Sequence, residues 1–288
     1  MSGSFVVIGN CQAGPIAAML DRMLPCWTKL QPILVHLIND QNKKQYAEII
    51  KKADVIIHQP VSNAFGEFST NNLKKIFHNK KFISFPVLYF SGYFSSLMYL
   101  RKPGGGTLPG VLGDYHDSRL VRGVLSGLSN EEIVESISKS SAVNARTKCK
   151  ESIDVLRKRE EELDIRVSNY LESEFSKRQL FYVFNHPSNE LLLKVARSVI
   201  DILQEVEVHQ TFDKEYLDAL VCPADSDFIA EFGSKECFGS NYSCLVDGQR
   251  LTYSPIEYFK KQIEQYRTTL QLKELYSYAL ERTKVIGY

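Results

Sequence analysis

In "SFVVIGNCQAGPIAAML", residues 4–20, a cysteine sits where a strand hands over to a helix. Phe5-Val6-Val7-Ile8 reads as a short buried strand, and Ile16, Ala17, Met19 and Leu20 as the apolar face of a helix. Gly9-Asn10-Cys11-Gln12 is the turn between them. Open α/β sheets bind ligands outside the C-terminal ends of their strands, in such turns. A helix N-terminus offers free N–H groups and the positive end of a dipole, both of which favour an anion. The spacing therefore predicts a lowered thiol pKa and a nucleophilic Cys11. Pro15 suits the start of the helix. Asn10 and Gln12 carry amides that can donate to an oxyanion, and Gly9 lets a ligand approach the backbone closely. The structural alternative is a small buried cysteine that only fills the turn.

A thiol nucleophile needs a base. Of the six histidines, His186 follows the apolar run "LFYVF" and precedes Pro187 and an apolar helix, so it is expected on the same rim as Cys11 if both strands are parallel. The block "NHPSNELLLKVARSVI" resembles the last block of SGNH hydrolases. That resemblance implies Cys11 as nucleophile after the first strand and His186 as base. It departs in having cysteine for serine and Val183 where the family has an acid. His58, beside Gln59, Ser62 and Asn63, and His116, near Asp114 and Asp117, are rival bases, and the choice among the three stays open. His36 reads as structural, while His78 and His209 lack supporting neighbours. No H-x-x-x-H or comparable pattern appears, so no metal is expected.

The elements that must position these groups alternate. After the first strand and helix come strands at 33–38, 54–59 and 81–85, separated by helices at 42–53 and after Thr70. Short connections and strict alternation predict an α/β fold, a parallel sheet flanked by helices. Helices are then expected at 117–128 and from a capping box at Ser129–Glu132, and over 142–178 an extended helix, or two with a break. A strand at 179–187 and an amphipathic helix capped by Ser188 follow, then two C-terminal helices. This pattern suggests an α/β catalytic domain over 1–205 with a helical insertion at about 117–178. A mostly helical extension covers 206–288.

Composition is that of a soluble globular protein: 44% hydrophobic and 24% charged residues, with a net charge of +1 that gives nucleic acid no strong field. Residues 82–100 carry no charge, but Pro86, Gly92 and mid-segment tyrosines argue for a strand and an aromatic loop rather than a membrane span. Cys11, Cys26, Cys149, Cys222, Cys237 and Cys244 form no CxxC and are too sparse for a disulfide scaffold. The first residues lack a basic start and a long apolar run, so a cytoplasmic location is expected. A homo-oligomer stays open.

Taken in order, "VVIGNCQA", "DVIIHQPV", "FPVLYFSGY", "LGDYHDSRLVRGVLSGLS" and "FNHPSNELL" resemble the polysaccharide biosynthesis protein family named for WcbI. The resemblance spans about residues 5–205. It implies coenzyme A binding and transfer of acetyl from acetyl-CoA to a sugar of a surface or capsular polysaccharide, with Cys11 matching the cysteine of the N-terminal motif. It departs where the family's Gly-Tyr is followed by histidine, proline and an acid, and this chain has Phe94-Ser95-Ser96. Phosphates need donors, and Arg101, Lys102, Arg119 and Arg122 are the candidates, the first two leading into the glycine loop "PGGGTLPG". Tyr89, Tyr93 and Tyr99 are placed to line a channel or to fill the core. The rival functions are a thioesterase or deacetylase using Cys11 and a histidine, and a coenzyme A-binding protein without catalysis.

Overall fold

The structure, a computed structural model, describes residues 2–139, 145–233 and 238–286. Cys237 and residues 142–144 of the expected long helix lie outside the described residues. In chain order the first elements are β1 (Ser4–Gly9), α1 (Ala13–Met23), β2 (Thr28–Lys29), β3 (Ile33–Leu34), α2 (Lys43–Lys52), β4 (Val55–His58), α3 (Thr70–Ile76) and β5 (Lys81–Ser84). Then come β6 (Leu97–Tyr99), β7 (Tyr115–Asp117), α4 (Ser118–Leu125), α5 (Asn130–Lys139), α6 (Ala145–Arg159) and α7 (Ser168–Glu174). Next are β8 (Phe181–Val183), β9 (His186–Pro187), α8 (Asn189–Leu203), β10 (Leu220–Val221) and α9 (Ser226–Phe232). The last are β11 (Tyr242–Val246), β12 (Gln249–Tyr253), α10 (Pro255–Thr268) and α11 (Leu272–Ile286).

The chain divides into two units, each built from three segments rather than parted near residue 205. The first comprises Met1–Tyr89, Ile153–Phe175 and Asn185–Leu217. Its parallel sheet has the order β2-β1-β4-β5, with β3 pairing β1 beyond β2. Phe5 to Ile8 are fully buried, as expected of a parallel strand covered on both faces. Ile8, His58 and Ser84 stand side by side across the sheet, so β1, β4 and β5 end level with one another. Beneath the sheet, Val6, Ile8 and Ile56 pack on Tyr46 and Ile50 of α2 and Leu73 of α3.

Two expectations are corrected here, and one with two readings is decided. The strand at 33–38 shrinks to Ile33–Leu34, and a 3-10 turn carries His36. Of the two readings of 142–178 the described residues follow the one with a break: α6 ends at Arg159, and the buried Glu160 carboxylate accepts from the N–H groups of Val167 (2.9 Å) and Ser168 (3.0 Å) and so caps α7. The strand expected at 179–187 is split into β8, Phe181–Val183, and β9, His186–Pro187, and neither belongs to the parallel sheet.

The second unit comprises Phe90–Ser152, Ser176–Phe184 and Asp218–Tyr288. It holds the antiparallel pair β6–β7, the antiparallel sheet β10-β11-β12 and helices packed on α4 and α10. Beyond 205 the chain forms the helices α9, α10 and α11, and a three-stranded sheet that was not expected precedes α10. The capping box at Ser129 and Glu132 forms, with N–H to side-chain distances of 2.7 and 3.1 Å. After β5 the uncharged stretch becomes an aromatic loop: Tyr93 is fully buried against Phe90, Phe94, Phe228 and Phe238. Among the described residues no helix is long and apolar enough to cross a membrane.

Candidate functional site

The turn after β1 is held by amides. Ala13 N–H bonds to Asn10 O (3.0 Å), and α1 begins at Ala13, which puts Pro15 inside the first turn. Gln12 is fully buried and its side chain is saturated. Its Nε2 donates to Leu88 O (2.7 Å) and Asn185 O (2.9 Å), while its Oε1 accepts from Gln59 Nε2 (2.7 Å) and Leu88 N–H (3.1 Å). Gln12 therefore braces the turn and has no donor left for an oxyanion, which corrects the role expected of it. One of these bonds joins the residue after Cys11 to the residue before His186.

Gly9 is likewise explained by packing. A Cβ there would lie 2.6 Å from Gln59 Oε1, the atom that accepts from Asn10 N–H at 2.8 Å. The close neighbour is a protein side chain rather than a ligand. Asn10 differs. Its Oδ1 accepts from Gln12 N–H (3.0 Å), and its side-chain NH2 has no hydrogen-bond partner among the described residues. Replacing Gln12 with leucine keeps the volume but strands two carbonyls and the Gln59 amide. We expect a loss of about 2–4 kcal/mol in unfolding free energy. Denaturant titration checks this, and an unchanged midpoint would contradict the bracing role.

Cys11 is half-buried. Burial pushes its thiol pKa up, only partly offset by a hydrogen bond from its own backbone N–H. The lowered pKa expected from the helix end is thus reversed, because desolvation of a thiolate outweighs the few N–H groups aimed at it. Iodoacetamide should accordingly modify Cys11 more slowly than the exposed Cys26 at pH 7.5, with its rate still climbing past pH 9. Peptide mapping after timed alkylation reads this directly. A plateau below pH 8 would show a primed thiolate instead.

The three histidines separate. His186 is half-buried in β9; burial lowers its pKa to about 4, against which a hydrogen bond to the Leu217 backbone acts. Burial thus keeps the ring neutral near pH 7, with one nitrogen donating to the Leu217 backbone and a lone pair on the other, while making it a weaker base than a solvated imidazole. His58 ends β4 at 3% exposure, edge-on to Phe82, with Nδ1 3.0 Å from Gln59 O. Burial lowers its pKa to about 4 as well. It shares a sheet face with Ile56, so its ring points into the layer beneath the sheet. His116 belongs to the second unit and is fully buried, with Nδ1 2.8 Å from Tyr266 Oη and Nε2 2.8 Å from Leu108 O. Both its nitrogens are committed.

His58 and His186 also set an acid limit on folding. Each binds a proton at about pH 6.5 when unfolded and only at about pH 4 when folded. Unfolding therefore takes up protons in that window, and stability falls as pH drops from 6.5 towards 4, by up to about 3 kcal/mol per histidine. Melting temperatures measured across pH 4–8 should be flat above 6.5 and fall below it. His58→Phe should flatten the slope.

The profile of a family described as polysaccharide biosynthesis enzyme WcbI matches residues 4–206. The chain belongs to the WcbI family. A solved structure of WcbI, described as a novel polysaccharide biosynthesis enzyme in its native form without a disulfide bond between coenzyme A and a cysteine, matches with a TM-score of 0.81. The match covers 99% of this chain and 96% of that one at 19% identity, a likeness of fold. No curated protein matches the chain. The family-matched stretch contains the whole Cys11 turn, β4, β5 and His186.

The cations expected to meet phosphate lie in the second unit. Arg119 donates to Asp117 through Nε (3.0 and 3.2 Å) and Nη2 (2.6 Å), and its Nη2 also lies 3.4 Å from Asp225. Burial pulls its pKa down, but these carboxylates outweigh burial and hold it up, so its fork is already filled. Where WcbI relatives are expected to follow Gly-Tyr with histidine and proline, Ser95 here donates from both N–H and Oγ to Asp225, each at 2.7 Å. Sequence reasoning missed this network because Asp225 lies outside every recognised block. Arg122 is exposed, and among the described residues its side chain makes only a long bond to Ser118 O (3.4 Å). Arg101 stacks 4.8 Å over Tyr99 and bridges Thr107, closing a loop in which Gly104, Gly105 and Gly106 all have positive φ and Lys102 is exposed.

Proposed function

We propose that this WcbI-family chain transfers an acyl group, acetyl above all, from a coenzyme A thioester to a hydroxyl of a polysaccharide or its precursor. The observation that carries the reading is the Gln12–Asn185 bond, which ties the Cys11 turn to the segment bearing His186. The related WcbI is described with reference to a disulfide between coenzyme A and a cysteine, and such a bond requires the thiol end of coenzyme A to meet that cysteine. Here Cys149, Cys222 and Cys244 are buried, Cys26 is exposed, and Cys11 is half-buried in the turn after β1. On this reading Cys11, the half-buried cysteine of the strand-end turn within the family-matched stretch, marks the thioester end.

A thiol whose pKa is raised is no standing nucleophile, and this favours direct transfer. His186 takes the proton of the acceptor hydroxyl as its oxygen attacks the thioester carbonyl. The Asn10 NH2 donates to the oxyanion. Collapse breaks the carbon–sulfur bond, and the imidazolium returns its proton to the departing thiolate. The ester and the free coenzyme A thiol leave; no net proton is gained or lost.

The test follows thiol release from acetyl-CoA with and without de-O-acetylated polysaccharide. Release that depends on the polysaccharide, with acetate ester appearing on it, supports transfer. Equal release without acceptor would mean hydrolysis, and the absence of both binding and release would leave a catalytically inert protein. An acetyl group found on Cys11 would replace direct transfer by a covalent route.

A further inference from the structure

In the second unit a groove of about 530 Å³ lies between the β11–β12 hairpin and α10, with Val111 of the family-matched stretch also lining it. Its volume falls in the range of small-molecule sites, roughly 300–1,000 Å³. Its two walls differ in chemistry. Cys244, Val246 and Tyr253 lie on one face of the hairpin, because Cys244 pairs with Leu251 and Tyr242 with Tyr253. Lys261, Glu264, Gln265 and Thr268 recur at intervals of three and four and form one stripe of α10.

The hairpin wall is apolar and aromatic. Tyr253 has no aromatic ring packed on it among the described residues, and the Lys261 ammonium stands 5.7 Å over its ring. The helix wall is polar and braced from behind: Gln262, fully buried, accepts from Val111 N–H (2.9 Å) and donates to Gln265 (3.1 Å), whose amide donates to Pro109 O. Lys261 and Glu264 have no ion-pair partner among the described residues. One charge of each sign gives the groove no net field, so it does not select an anion. A pyranose has an apolar C–H face and a rim of hydroxyls that both donate and accept. The face suits Tyr253 and Val246, and the rim suits Lys261 and Glu264.

From this pairing of walls we infer that the groove binds a neutral saccharide. The inference rests on the reading of the chain as an enzyme acting on polysaccharide. The full-length protein is applied to an array of immobilised neutral and uronate-containing oligosaccharides. The strongest neutral ligand is then titrated against Tyr253→Ala, Glu264→Gln and, on the opposite hairpin face, Thr252→Ala. Neutral oligosaccharides should be retained, with affinity falling at least about tenfold in the first two variants and unchanged in the third. Retention of uronates alone, no retention, or equal affinity in Glu264→Gln would overturn the groove as a neutral saccharide site. Coenzyme A binding is measured on the same samples. If it persists while saccharide binding fails, the groove alone is wrong; if the native protein binds no coenzyme A, the functional reading fails as well. Should Tyr253→Ala lose both ligands through misfolding, the conservative Glu264→Gln decides.

Discussion

His186→Gln should lower turnover in acyl transfer by about 10²–10⁴-fold while leaving coenzyme A affinity nearly unchanged. Glutamine keeps a donor for the Leu217 backbone but has no basic lone pair, so orientation survives and proton acceptance does not. The pH profile gives a second reading of the same claim. Because burial holds His186 near pH 4, the native rate should be level from pH 8 down to about 5 and fall only as the ring takes its proton. A profile breaking near 6.5 would mean a solvated imidazole. Full activity in His186→Gln would move the base elsewhere, and the geometry makes His58 and His116 poor substitutes, since one points into the layer under the sheet and the other spends both nitrogens.

The second large effect concerns stability. Arg119→Met leaves the Asp117 and Asp225 carboxylates facing each other with little exposure and no cation between them. Breaking a buried pair in this way costs about 3–5 kcal/mol. Burial already pushes the Asp225 pKa up, against the pull of Arg119, so without the arginine this carboxyl takes a proton more readily still. The sign follows: the deficit in Arg119→Met should be greatest at pH 8, where Asp225 is ionised, and smaller at pH 5. Adding Asp225→Asn should recover part of it. Thermal melts at the two pH values check this, and a deficit independent of pH would contradict the ionic account.

These two residues show where sequence reading succeeds and stops. β1, β4 and β5 were legible because their apolar runs are local, and the place of Cys11 at a strand end followed from them. Gln12 reads as a donor because its partners, the carbonyls of Leu88 and Asn185, are backbone atoms 76 and 173 residues away, and backbone acceptors leave no mark in residue type. Arg119 reads as a phosphate ligand because Asp225 is 106 residues distant. The direction of the Cys11 shift was missed for a related reason. A helix end is visible in sequence, whereas the depth at which the chain buries it is a property of the fold.

The meeting of coenzyme A with the Cys11 turn is tested most directly by thiol exchange. The protein is incubated with coenzyme A disulfide at pH 7.5, and the attached groups are located by mass spectrometry. Exchange forms a mixed disulfide on the protein and releases one coenzyme A thiol. Bare reactivity favours the exposed Cys26 over Cys11, whose thiol is half-buried and raised in pKa. Capture by a binding site reverses that order, so Cys11 should be labelled first and protected by an excess of the non-exchanging acetyl-CoA. Labelling of Cys26 ahead of Cys11, or labelling of Cys11 that acetyl-CoA does not slow, would contradict the account.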